Sequence, residues 1–89
     1  MPSVRVKLVN RNGLHARPAS MFVQTANRFA ASVSVSCGGQ PPVNGKSMMS
    51  MMMLAAEHGT ELEIVADGPD SEAQLQALRL LVEGGFGEE

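Results

Sequence analysis

The sequence predicts an α+β fold in which an antiparallel sheet is covered on one face by helices. Three observations carry this expectation. Short segments of strict apolar–polar alternation recur along the chain, as half-buried strands require. Between them lie stretches whose apolar residues return every three or four positions, as in amphipathic helices. Turn residues separate the segments wherever the period changes. The resulting order is β-α-β-β-α-β-α. Strands that are polar on one side suit an antiparallel sheet with one wet face.

Each element has its own justification. Val4, Val6 and Leu8 alternate with Arg5, Lys7 and Val9, giving the first strand. Asn10 to Gly13 has turn chemistry. From Ala16 to about Phe29, the residues Ala19, Phe22, Val23, Ala26 and Ala30 mark the buried face of a helix. Val33, Val35 and Cys37 alternate with Ser32, Ser34 and Ser36 in a second strand, with Cys37 as a small inward residue. Gly38-Gly39 turns the chain. Pro41-Pro42-Val43 supports only a short third strand, at an edge, because proline cannot donate to a ladder. After Asn44-Gly45, Ser47 caps a short helix running to about Leu54. Leu62, Ile64 and Ala66 alternate with Glu61, Glu63 and Val65 in a fourth strand. Ser71 and Gln74 form a capping-box pattern. Leu75, Leu78, Leu81 and Val82 then line one face of a last helix that stops at Gly84-Gly85.

Composition narrows the function classes. The 89 residues support one small domain, spanning 1–89, with one modest core. The formal net charge is −2 and no basic stripe is visible, so nucleic acid is not an expected partner. A lone cysteine, Cys37, permits no internal disulfide, which suits a reducing cytosol. No apolar run approaches the ~18 residues of a membrane span, and Met1 to Leu8 lacks the apolar core of a signal peptide. A cytoplasmic protein is expected. His15, His58 and Cys37 are the soft-metal ligands, but their spacing fits no zinc pattern. No metal or cofactor is expected.

One stretch, NGLHARPA from Asn12 to Ala19, does not read as ordinary structure. It sets a histidine at the doorstep of the first helix. A helix N-terminus leaves about four N–H groups without helical partners and carries roughly half a positive charge. Pro18 falls in the first turn, where its missing N–H costs least. The N–H groups of Ala16 and Arg17 therefore form an anion site beside the imidazole. Arg17 adds a fork that matches phosphate oxygens. The helix field disfavours a second positive charge and so favours a neutral imidazole, a nucleophile for phosphorus. Taken singly, each residue has a plainer role: His15 as a capping residue, Arg17 as a solvated side chain, Pro18 as a helix start.

Together they resemble a known signature. NGLHARPAS is similar to the active-site motif of the HPr family, the histidine-containing phosphocarriers of the phosphoenolpyruvate-dependent sugar phosphotransferase system. VNGKSMMSMMML, from Val43 to Leu54, resembles the regulatory serine segment of the same family. The length and element order match too, so the resemblance covers essentially the whole chain. It implies an open-faced β-sandwich, a four-stranded antiparallel sheet with three helices on one face. It implies that His15 accepts a phosphoryl group at Nδ1 from enzyme I, that Arg17 assists, and that the group passes to the EIIA domain of a sugar permease. It also implies that Ser47 is the target of an HPr kinase in those lineages that have one, with a catabolite-control regulator as a further partner. Such a carrier is expected to be a monomer that docks and undocks.

Two departures stand out. The segment CGGQPP, Cys37 to Pro42, carries about one extra residue and more proline than the family pattern. The short helix holds Met48, Met49, Met51, Met52 and Met53, more methionine than the family uses there. A helix buries one stripe, so some of these residues must face outward. The expectation is Met48 and Met51 outward, forming with Met21 a flexible docking patch, and Met49 and Met52 inward. Lys46 is taken as a solvated lysine. Two rival functions remain: a regulatory relative that acts by partner binding, and a phosphohistidine enzyme turning over a small substrate. The catabolite-repression relative lacks the active histidine that this chain has, and a nitrogen-related regulatory branch keeps it; retention of NGKSMM favours the sugar branch. The enzyme reading lacks a second acid, base or metal set near His15.

Overall fold

The computed structural model describes residues 1–87; Glu88 and Glu89, at the end of the glycine-rich tail, lie outside the described residues. The elements run β1 (Ser3–Lys7), α1 (Ala16–Ala26), β2 (Ser32–Cys37), β3 (Val43–Asn44), α2 (Met48–Met53), β4 (Glu61–Asp67) and α3 (Ser71–Glu83). A 3-10 turn, Gly85–Gly87, closes the described chain. The strands form one sheet in the order β1-β4-β2-β3, with antiparallel pairing at each step.

Register explains the two faces. Val4 pairs with Ile64 and Val6 with Leu62, while Val33 pairs with Ala66 and Val35 with Ile64. Because strand side chains alternate, these apolar residues fall on one face. Helices α1 and α3 cover it with Ala19, Phe22 and Ala26 and with Leu75, Leu78 and Val82, all buried. The other face is open and polar. There Arg5 sits opposite Glu63 and Lys7 opposite Glu61, so opposite charges face each other across the ladder. Cys37 is half-buried against the core, in line with the alternation of Val33 and Val35. Among the described residues, no helix is long and apolar enough to cross a membrane.

Four expectations require correction. Helix α1 ends at Ala26, not near Phe29, and Ala30 is exposed. The cause is tertiary: the Asp70 carboxylate accepts the N–H groups of Ala30 and Ala31, each at 2.8 Å, and so holds that backbone outside the helix. Secondly, Ser71 and Gln74 form no capping box. Asp70 is the N-cap of α3, Ser71 is its first residue, and Gln74 is fully buried. The Gln74 amide donates instead to the carbonyls of Ala26 and Ala31 at 3.0 and 3.1 Å, clamping both ends of the α1–β2 turn. Thirdly, Lys46 is not a solvated lysine; its ammonium donates to the Phe29 carbonyl at 2.8 Å.

The fourth correction concerns the methionines. Met51 is the buried one, at 0% exposure, while Met49 is 74% exposed and Met52 43%. Met48 is half-buried against the core. The expected orientation is therefore inverted for Met49, Met51 and Met52. A run of methionines offers no hydropathy contrast, so the packing of α2 on α1 and β3 decides which one turns inward. Met51 is thus a core residue and no part of a docking patch.

The C-terminal turn is part of the core. Phe86 is 1% exposed and adopts a left-handed backbone, φ 56°, which carries its ring back into the core. Gly85 lies beside Val9 and Asn10, so this turn supports the loop that follows β1.

Candidate phosphate-accepting site

The loop between β1 and α1 is fixed before any helix begins. Asn10 is fully buried, and its side-chain amide donates to the Gly13 carbonyl at 2.6 Å. The Gly13 N–H returns a bond to the Asn10 carbonyl. Nδ1 of His58 lies 3.0 Å from that same carbonyl, where a protonated Nδ1 donates to it. The Leu14 N–H donates to the Ala56 carbonyl at 2.9 Å, and the Leu14 side chain is buried. Gly13 is needed twice over. Its φ is +65°, and a Cβ there would stand 2.7 Å from both the Ala56 oxygen and the Glu57 Cα. The loop is therefore pressed against the segment that follows α2.

His15 is the next residue and the N-cap of α1. Its backbone is extended, φ −86° and ψ −168°, and its side chain makes no capping bond to the helix. The first bond of the helix runs from the Ala19 N–H to the His15 carbonyl at 2.9 Å. Helical geometry thus leaves the N–H groups of Ala16 and Arg17 without an acceptor within α1. Pro18 has no N–H to satisfy and is buried. No acidic residue occupies the first turn to offset the helix dipole. Arg17 is exposed and His15 half-buried. This arrangement can hold a doubly or singly charged oxyanion against an imidazole.

Ser47 heads the second helix. It has an extended backbone, φ −110° and ψ 119°, and its hydroxyl accepts the Ser50 N–H at 3.3 Å. The two sites stand apart. Near Ser47, Lys46 reaches the Phe29 carbonyl, and the Asn27 amide reaches the Lys46 carbonyl at 3.5 Å, just beyond the C-terminal end of α1. At the other end of α2, Ala56 meets Leu14 beside the start of α1. The two helices are therefore antiparallel, with His15 and Ser47 at opposite ends of the pair. Met21 and Met48 are half-buried on these helices.

Neither Asn10 nor His58 stands out as a site residue in the sequence. Asn10 carried the weak signal of an asparagine three residues before a glycine, which suits a turn. His58 carried none. Among the described residues, no three His, Cys, Asp or Glu side chains converge as metal ligands. A concavity of about 400 Å³ lies over the open sheet face, lined by Arg5, Cys37, Gln40 and Glu63, away from His15.

Comparison with known proteins agrees with this picture. The family model described as the PTS HPr component phosphorylation site matches residues 2–84. The phosphocarrier protein HPr of Neisseria meningitidis is 45% identical over 83 residues, covering 93% of this chain and 92% of that protein. The crystal structure of HPr from Thermoanaerobacter tengcongensis superimposes with a TM-score of 0.94 at 42% identity, covering 100% of this chain and 99% of that one. Crh of Bacillus subtilis, a catabolite-repression protein solved as a swapped-domain dimer, superimposes with a TM-score of 0.75 at 39% identity, covering 96% and 97%.

Proposed function

This chain belongs to the HPr family of phosphocarrier proteins, and on that premise we propose that His15 accepts a phosphoryl group from phospho-enzyme I and passes it to EIIA domains of sugar permeases. One observation carries the reading: His15 caps α1 without using its side chain as a cap, on a loop fixed by Asn10, Gly13 and Leu14. Nδ1 of His15 attacks phosphorus. A P–N bond forms as the bond to the donor breaks. The phosphoryl oxygens meet the N–H groups of Ala16 and Arg17, and the Arg17 guanidinium takes up developing charge. The helix head needs no reorganisation, because its donors already point outward. The product keeps a labile P–N bond, which suits onward transfer.

The chain acts as a single-domain, cytoplasmic, stoichiometric carrier. It needs a reachable acceptor and a docking face instead of a substrate pocket. Met21 and Met48 contribute to that face, joined by the outward methionines of α2. Ser47 is the regulatory site. A phosphate there sits on the N-terminus of α2, where it does not oppose the helix, and adds nearly two negative charges to the docking face. An HPr kinase is its writer and a catabolite-control regulator its reader. Crh of Bacillus subtilis was solved as a dimer, so gel filtration of this chain checks the monomer expected of a carrier that docks and undocks.

The test is direct. The protein is incubated with phosphoenolpyruvate, Mg²⁺ and a bacterial enzyme I proven active on another carrier. One acid-labile phosphate on the wild type and none on His15→Ala supports the reading. An unmodified wild type sinks it.

A further inference from the structure

Helix α2 treats its five methionines unequally. Met51 is fully buried, whereas Met49 and Met53 are each 74% exposed and Met52 43%. Positions 49, 52 and 53 stand at i, i+3 and i+4, so their side chains share one helix face. The three thioethers form a continuous outward patch.

The location of the patch matters. The last turn of α2 leads through Leu54 and Ala55 to Ala56, whose carbonyl holds the Leu14 N–H next to His15. Met52 and Met53 therefore border the loop that carries His15. A protein that delivers a phosphoryl group to His15 covers far more than one residue. A specific interface takes roughly 800 Å² from each partner. Such a footprint around His15 reaches this border.

We propose that Met49, Met52 and Met53 are an oxidation-sensitive modification site, and that their conversion to sulfoxides by a hydroperoxide slows phosphoryl transfer to His15. The inference rests on the phosphocarrier reading. The thioether sulfur attacks the peroxide oxygen. An S–O bond forms and the O–O bond breaks. Sulfur is oxidised by two electrons, and the peroxide is reduced to water or an alcohol. The product exchanges a flexible apolar side chain for a polar, chiral one. Burying a sulfoxide against a partner's apolar surface leaves a strong acceptor without water, which opposes docking. Met51 is shielded under the helix, so the core keeps its own thioether. Two thiols restore the methionine, releasing the oxygen as water with formation of a disulfide.

The experiment uses the whole protein. Native protein is treated with hydrogen peroxide, the oxidised positions are mapped by peptide mass, and the initial rate of phosphate uptake from enzyme I is compared with the untreated rate. The triple variant M49L/M52L/M53L, which keeps apolar bulk but has no sulfur there, is measured as its own treated-to-untreated ratio. The inference expects oxygen on Met49, Met52 and Met53 before Met51. It expects the wild-type rate to fall on the order of tenfold, as for loss of an interface anchor. It expects the triple variant's ratio to stay near one and a methionine sulfoxide reductase to restore the wild-type rate. Early oxidation of Met51, an unchanged wild-type rate, or an equal fall in the triple variant would each overturn it. The last result would assign the effect to Met1, Met21, Met48 or Cys37. Untreated protein that takes up no phosphate would instead remove the carrier reading itself.

Discussion

The heads of α1 and α2 are built alike and finished differently. Each begins with a polar N-cap in an extended backbone, His15 in one and Ser47 in the other. Ser47 turns its hydroxyl onto the Ser50 N–H and closes its own helix. His15 makes no such bond, and its helix is pinned from outside by Leu14 and Asn10. A helix stabilised by its own cap has little left to offer an anion until the cap itself is modified. A helix stabilised by its neighbours can present its N–H groups and an imidazole to an incoming phosphate. On the proposed function, this difference would separate a regulatory position from an acceptor.

Removing the acceptor is the largest change. His15→Ala is expected to abolish phosphate uptake from enzyme I, because the attacking ring nitrogen is removed, while the variant still unfolds in a single cooperative thermal transition. Next in size is Arg17→Ala, which should slow uptake by about tenfold to a hundredfold in a rapid-quench assay, since a charge-assisted donor to the phosphoryl oxygens disappears. Gly13→Ala tests whether the outside pinning matters. The new Cβ meets the Ala56 oxygen and the Glu57 Cα, and the φ is left-handed. Denaturant unfolding should show a loss of about 2–4 kcal/mol. Gly39→Ala has φ +77° but nothing within 4 Å, and should cost only about 1–2 kcal/mol.

The closed head predicts the opposite profile. Ser47→Ala should lower stability by about 1 kcal/mol through the lost cap and leave phosphate uptake at His15 at the wild-type rate. The smallest expected effect belongs to Asp70, which holds the backbone just past the end of α1. Hydrogen bonds from the Ala30 N–H first and the Ala31 N–H second hold its carboxyl below the ordinary value of 3.8. A lowered folded-state pKa contributes stability that is present above the unfolded value and lost as pH falls through the folded one. Stability should therefore decline as pH falls below about 4, and Asp70→Asn should flatten part of that decline in acid titrations followed by circular dichroism. Asp70 is half-buried at the surface, where solvent screening keeps the change small.

Much of this was legible because local and tertiary preferences agree. Val33-Ser34-Val35-Ser36 can alternate only as a half-buried strand, and β2 pairs as such. Ser47 caps its helix wherever that helix goes. The illegible parts are those where a distant partner decides. Asp70 ends α1 from 39 and 40 residues away in sequence, at Ala31 and Ala30. Gln74 looked like a capping residue and is a buried clamp on Ala26 and Ala31. The methionine helix has no polar contrast, so only its packing could show that Met51 turns inward. At the head of α1, the order of His15, Arg17 and Pro18 makes the helix start legible. Asn10 and His58, which brace the loop through one carbonyl, were not, because hydrogen bonds to backbone leave no pattern in the sequence.

The central claim is that the open head of α1 is the phosphate acceptor, and locating the phosphate tests it most directly. The protein is phosphorylated with enzyme I and phosphoenolpyruvate, digested under alkaline conditions that preserve P–N bonds, and mapped by mass spectrometry. The account predicts a single phosphoryl group on the peptide carrying His15, lost when EIIA is added. A phosphoryl group on His58 or on Ser47 under these conditions, with the His15 peptide unmodified, would contradict it.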